Sequence, residues 1–172
     1  MKICRIGTKL QTDGSERLLL LPPNHPALPQ VLALIRTAFG YMDGLIDPPS
    51  SVRALTLASL QGPGQEVWGI GDPLTACIIL TPKPPALYLG KLAVAASHQG
   101  RGLARALIDH ADSRARALGL THLELQTRVE LVGNQAAFTA LGFVETGRTA
   151  HKGYDRPTSI TYRRPLLPKE TE

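Results

Sequence analysis

One stretch constrains this chain more than any other, Leu87 to Leu118, LYLGKLAVAASHQGRGLARALIDHADSRARAL. Leu87 to Val94 runs apolar apart from Gly90 and Lys91 and reads as a strand. Ala95 to Arg101 reads as a turn. From Gly102 on, Leu103, Leu107, Ala111, Ala115 and Leu118 recur at helical spacing and make one apolar face. Arg105, Asp109, Asp112 and Arg116 fall on the opposite face, with Asp112 placed for an ion pair to Arg116 one turn on. Gly119 stands where a helix C-cap glycine belongs.

The turn carries the chemistry. Gly100 and Gly102 let the backbone come close to a ligand. They open a helix, whose free N–H groups and positive dipole end favour an anion. Arg101 adds a guanidinium suited to phosphate. Three phosphate cradles compete for this pattern. The P-loop needs a Lys-Ser/Thr pair that is absent here. The dinucleotide fingerprint finds Gly100, Gly102 and an acidic Glu124 on the following strand. It lacks its third glycine, since Arg105 stands there, and Ala95 to Gln99 hold the glycines away from the strand. The third pattern, Q/R-x-x-G-x-G/A, is met by Gln99-Gly100-Arg101-Gly102-Leu103-Ala104.

Length and charge bound the rest. A chain of 172 residues suits one domain. At that size roughly two thirds of the unfolded surface can be buried without disulfides. Cys4 and Cys77 stand far apart without metal-like neighbours, so they read as free thiols in a reducing compartment and no metal is expected. The N-terminus has no apolar core for a signal peptide, and the LLLL run at 18–21 is too short to span a membrane. A cytoplasmic protein is expected, with no membrane partner. The net charge of +5 is basic, yet the arginines are scattered and aromatics few, so no nucleic acid partner is expected. A polyanionic cofactor explains the same excess.

Taken in order, residues 1–15 read as an extra strand or a leader. ERLLLL to Leu21 reads as a buried strand stopped by Pro22-Pro23, and Asn24-His25-Pro26 opens a helix with Leu28, Leu32, Ile35 and Phe39 on one face. SVRALTLASL, after Pro48-Pro49, reads as a second helix. QEVWGIG and PLTACIILT follow as two strands, then the strand and helix of the central stretch. THLELQT is a strand, NQAAFTAL a short helix, and FVETGRT and TSITYRR two more strands around the loop 151–157. Residues 165–172 read as a frayed tail. The predicted order is β-α-α-β-β-β-α-β-α-β-β, and no repeat or linker interrupts it.

Three features together, the Gln99 to Ala104 loop after Leu92-Ala93-Val94, that element order, and Asn134 to Phe143 (NQAAFTALGF), resemble the GCN5-related N-acetyltransferase (GNAT) superfamily from about Glu16 to Leu166. The resemblance implies an α/β (α+β) acyl-CoA N-acyltransferase fold, a mixed sheet of about six or seven strands with about four helices, as one domain over 1–172. It implies acetyl-CoA as cofactor and direct transfer of acetyl to a primary amine of a small molecule or peptide. Leu92, Ala93 and Val94 would hold the pantetheine. Gln99, Gly100, Arg101, Gly102, Leu103 and Ala104 would hold the pyrophosphate, and Asn134 and Phe138 would pack on the cofactor. Dimers are frequent in that family, so a homodimer is open.

The acid and base depart from the family pattern. Phe138 stands where many members have a Tyr, and Gln126 where some have a Glu; neither transfers a proton at neutral pH. Glu124, Tyr154 and His151 are the substitute catalytic candidates, each with an ordinary surface role as its rival. Tyr41 and Asp43, between the first two helices, are candidates for the acceptor wall, and turn formation explains Asp43 equally well. Two other classes stay open: an acyl-CoA-binding or regulatory module without catalysis, and a nicotinamide- or nucleotide-binding domain.

Overall fold

The computed structural model describes residues 17–166. The expectations for residues 1–15 and for the last residues of the tail lie outside that range. Among the described residues the order is β1 (Leu18–Leu21), α1 (Leu28–Phe39), α2 (Leu57–Leu60), β2 (Glu66–Ile70), β3 (Ala76–Lys83), β4 (Ala86–Val94), α3 (Leu103–Ala117), β5 (His122–Arg128), α4 (Val132–Ala140), β6 (Val144–Thr149) and β7 (Ser159–Pro165). The strands form one mixed sheet in the order β1-β2-β3-β4-β5-β7-β6. All neighbours run antiparallel except β4 and β5, which are parallel and joined through α3. The expected mixed sheet of about six or seven strands with about four helices is the fold observed, with seven strands and four α-helices among the described residues.

The core lies where α1 and α3 close over the central strands. Val31 and Ile35 from α1 and Leu103, Leu107 and Ile108 from α3 are buried against Ile78, Leu80 and Leu87. The helical and strand periods of the sequence converge on this one cluster.

Local chemistry moved three expectations. SVRALTLASL is not one helix: a 3-10 turn over Ser51–Ala54 stops at an extended Leu55, and α2 restarts after Thr56. Thr56 and Ser59 cap each other reciprocally, which satisfies the N–H groups that a continuous helix would have used internally. The first strand is not buried throughout: Leu21 is, but Leu19 and Leu20 are exposed, because β1 pairs within the sheet only with β2. The third concerns Asp112. It pairs with Arg116 as the spacing predicts, Nε to Oδ1 at 2.9 Å, yet it lies buried rather than on a solvent face. Its second oxygen accepts from Arg164 Nη2 of β7 at 3.3 Å, and Arg164 Nη1 donates to the Leu141 carbonyl at 3.2 Å. Arg164 is itself buried, stacked over the Phe143 ring, so it faces neither solvent nor a partner.

On the other flank of α3, Arg114 and Trp68 Nε1 both donate to the Glu66 carboxylate, and the His110 ring lies 4.0 Å from that of Trp68. Burial holds the His110 pKa below the ordinary histidine value, and the nearby Arg114 charge pushes the same way against Glu66. A base with a depressed folded pKa contributes stability that is full above its unfolded value, about 6.5, and is lost as pH falls through the folded value. His110→Phe, which keeps the stack, should therefore flatten the loss of melting temperature between pH 7.5 and 5. Asp112→Ala strands the buried Arg164 charge and should cost about 3 kcal/mol or more in urea unfolding. Arg116→Ala, at the partly exposed end of the same network, should cost about 1 kcal/mol or less.

Candidate active site

The parallel pairing of β4 with β5 covers only Ala86↔His122, Leu87↔Leu123 and Tyr88↔Glu124, and stops there. β4 continues alongside β3 to Val94, while β5 continues alongside β7 to Arg128. Between the parted strands opens a cleft of about 630 Å³, lined by Leu89 to Leu92 of β4, Leu125 to Arg128 of β5, and Asn134 and Phe138 of α4. The loop after α1 and the turn at Ser51 close its far wall. A second hollow of about 670 Å³, mostly apolar, lies beside it between α1 and Val94, Ala95, Ala96 and Gln99.

Past β4 the chain makes a short 3-10 turn and then reaches the glycines. Gly100 has φ +78° and Gly102, the residue before α3, has φ +82°. Both lie in the left-handed region where glycine carries no penalty. A Cβ on Gly100 would meet nothing within 4 Å, so backbone conformation rather than crowding calls for glycine there. Among the described residues no side chain caps α3, and its first turn holds no acidic residue. Its leading N–H groups are thus open to an anion, and the exposed Arg101 and Arg105 flank them. Leu103 is buried, anchoring the turn by its side chain.

β4 also carries a bulge. Ile79 pairs with Gly90 and Cys77 with Ala93, so Lys91 and Leu92 oppose Ile78 alone. Lys91 has φ +52°, the one non-glycine residue with positive φ among those described. A lysine there costs about 1 kcal/mol relative to an unstrained residue. The bulge turns Lys91 into the cleft, where its Nζ donates to Ser51 Oγ at 3.0 Å. Burial pulls its pKa below the ordinary lysine range. Tyr88 lines the cleft below it, with a pKa raised by burial and by the Glu124 charge against a backbone hydrogen bond at Gln126. It is a protonated phenol at neutral pH, hence a proton donor.

The cleft brings together Leu92, Asn134, Phe138 and His151 from the sequence candidates, while Val94 and Gln99 line the second hollow. Tyr41 also lines that hollow, and Asn134 Nδ2 reaches its hydroxyl at 3.4 Å. Ala93 is fully buried in the β3–β4 ladder. Phe138 is buried edge-on to Phe143. Other candidates are engaged outside the lining. Glu124 accepts from Arg163 Nε at 2.8 Å, Asp43 from Arg53 Nε at 3.1 Å, and Tyr154 donates to Asp47 Oδ1 at 2.6 Å. That last bond, with Arg156 to Asp47 and Glu130, ties the loop after β6 to the loops after α1 and β5. The Asp47 carboxylate also holds the Tyr154 pKa above its usual value. His151 faces the cleft with Nδ1 hydrogen-bonded to Thr158 Oγ1. Sequence reasoning missed Lys91, Tyr88, Arg128 and Ser51. For Lys91 a signal existed, a charge interrupting an apolar strand.

A model of the Acetyltransferase (GNAT) family matches residues 45–143, more than half of the chain. The chain belongs to that family. The match spans β4, the glycine turn and α3, and runs to Phe143. This GNAT chain is 30% identical over 112 residues to the uncharacterized N-acetyltransferase YsnE of Bacillus subtilis (strain 168), covering 63% of this chain and 70% of that protein. Among solved structures, aminoglycoside 6'-acetyltransferase type Ii superposes with a TM-score of 0.69 at 18% identity, over 89% of this chain and 99% of that one. The ribosomal-protein-S18-alanine N-acetyltransferase of Escherichia coli gives 0.62 at 22%, over 91% and 99%. At those identities the likeness speaks for the fold alone.

The strain at the bulge has a direct test. Because alanine keeps the positive-φ penalty and glycine does not, Lys91→Gly should be more stable than Lys91→Ala by about 1 kcal/mol. Urea unfolding of the two variants measures the difference; alanine the more stable would mean Lys91 is unstrained in solution.

Proposed function

We propose that this chain is an acetyl-CoA-dependent N-acetyltransferase that passes acetyl directly to a primary amine of a small molecule or peptide. One observation carries the reading: the uncapped, acid-free start of α3 opens beside a strand edge left unpaired by the parting of β4 and β5. The two suit the two parts of such a cofactor, a pyrophosphate and an amide-bearing arm. When bound, acetyl-CoA supplies a thioester whose C–S bond breaks as the acceptor nitrogen bonds the acetyl carbon, the nitrogen losing one proton and the sulfur ending with one.

The protein's part is to hold and to move protons. N–H groups of Gln99 to Ala104 would take the pyrophosphate with Arg101 beside them. The free edge of β4 around Leu92 would bond the arm, and Asn134 and Phe138 would close over it. A backbone N–H of that edge would polarise the acetyl carbonyl, an oxyanion-type contact. Positioning in the cleft supplies much of the remaining advantage. His151, an imidazole facing the cleft, is the base favoured over Glu124 and Tyr154, which are engaged by Arg163 and Asp47. Tyr88, which also lines the cleft, is the proton donor in this reading, standing in for what Phe138 cannot do. A thiol of pKa about 8.5 leaves tolerably even unaided.

Thermal melts with acetyl-CoA, coenzyme A, NAD and ATP in parallel test the cofactor. Either coenzyme A species at 100 times its dissociation constant should stabilise by about 2.7 kcal/mol, a shift of several degrees. Arg101→Glu, on the exposed turn, should weaken that binding at least tenfold. A shift with NAD alone would defeat the reading.

A second reading has its own observation. Phe138 and Gln126 both line the cleft, and neither can exchange a proton. A non-catalytic acyl-CoA-binding module would bind the cofactor and turn over no amine; Tyr88→Phe, which should lower kcat in an enzyme, would then have nothing to lower.

A further inference from the structure

The charge of the cleft says what kind of amine it takes. Among the described residues two full charges line it, Lys91 on β4 and Arg128 on β5, both positive, and no Asp or Glu does. Each cation has donors to spare. Lys91 Nζ donates to the neutral Ser51 Oγ. Arg128 Nε donates to the Thr158 carbonyl at 3.1 Å, while its Nη2 is shut off from solvent with no hydrogen-bond partner among the described residues. A space lined by two cations, with no carboxylate among its described lining residues, carries a positive field that favours an anionic group.

The carboxylates close by in the chain, Asp47 and Glu130, are not among the residues that line the cleft. Asp47 accepts from Tyr154 and Arg156. Glu130 accepts from the Asp47 N–H and lies 3.8 Å from Arg156; its second oxygen is buried without a hydrogen-bond partner among the described residues. Nor is the glycine turn in the same hollow: Gln99 lines the other one, and Lys91 and Arg128 do not. The cations are therefore separate from the groups assigned to the cofactor's phosphates.

We propose that the acceptor is a small amine that also bears a carboxylate, an amino acid or close analogue, whose anion seats on Lys91 beside Ser51, in the field of Arg128. This rests on the N-acetyltransferase reading above and deepens it. The carboxylate answers the ammonium of Lys91 with a charge-assisted hydrogen bond and lies in the field of the Arg128 guanidinium. It also pins one end of the acceptor, which leaves the amine to find the thioester. The same field disfavours polycations such as polyamines, which bring no counter-charge.

Calorimetry and initial rates on the full chain saturated with coenzyme A or acetyl-CoA test this. The probes are the twenty amino acids, the carboxamides of those that bind, and spermidine. At least one amino acid should bind, and should be used with kcat/KM at least tenfold above its carboxamide. Lys91→Asn, chosen because asparagine tolerates the positive φ, should erase that gap through KM for the carboxylate, and Lys91→Arg should restore part of it. Arg128→Gln should do the same; if it fails to fold, the Lys91 pair decides. Binding of no amino acid, a carboxamide or spermidine used as well as the acid, or a gap that survives Lys91→Asn would each overturn the proposal. Coenzyme A binding, read in the same titrations, separates that result from a failure of the acetyltransferase reading.

Discussion

Everything functional in this protein depends on a pairing that stops early. β4 and β5 share three residue pairs and then part, in the middle of a sheet where every other neighbour stays joined. Each strand keeps its outer partner to its end, β4 with β3 and β5 with β7. The sheet therefore opens without falling apart, and backbone groups that would normally be bonded to each other face a gap. α4 leaves the end of β5 and brings Phe138 to the gap's side, while α3 leaves the end of β4 with its N-terminus uncapped. The cleft and the uncapped start of α3 both lie at this one divergence.

The bulge in β4 is the second device, and it decides the character of the cleft. Inserting one residue turns Lys91 to the open side at the cost of a left-handed backbone. Lys91 then shares with Arg128 a cleft lined by apolar strand residues and by the Ser51 turn. Strain and a desolvated cation at the same residue are costs a purely structural strand has no reason to carry. Around the rim, the acidic groups are drawn off into contacts that tie loops together, Asp47 with Tyr154 and Arg156 above all. The result is a segregation of charge: cations in the cleft, carboxylates in the latch.

Much of the fold was legible because its signals are local. The strand before the turn, the helical recurrence of Leu103, Leu107, Ala111 and Ala115, and the glycines at 100, 102 and 119 each follow from what a residue does to its own backbone. Where the reading erred, long-range or reciprocal contacts overrode the period. Thr56 and Ser59 cap one another and split an apparent helix. Asp112, placed by spacing on a polar face, was taken into the interior by Arg164, fifty-two positions away. Leu19 and Leu20 read as core and lie exposed, because an edge position depends on strand order, which apolar content alone does not specify.

The sequence by itself determined the element order, the glycine turn at a helix start and the family, since those rest on dihedral preference and short-range spacing. Only the tertiary structure decided which side chains share the cleft. Strand alternation says nothing of a bulge, so Lys91 could be noticed but not aimed. Residues as far apart as Ser51, Lys91, Arg128 and His151 meet only once the sheet has parted and the loops have closed over it. Glu124 shows the converse: two positions from a cleft residue, it is held by Arg163 because β7 lies beside β5. Such encounters are set by the packing of distant segments, and no local pattern encodes them.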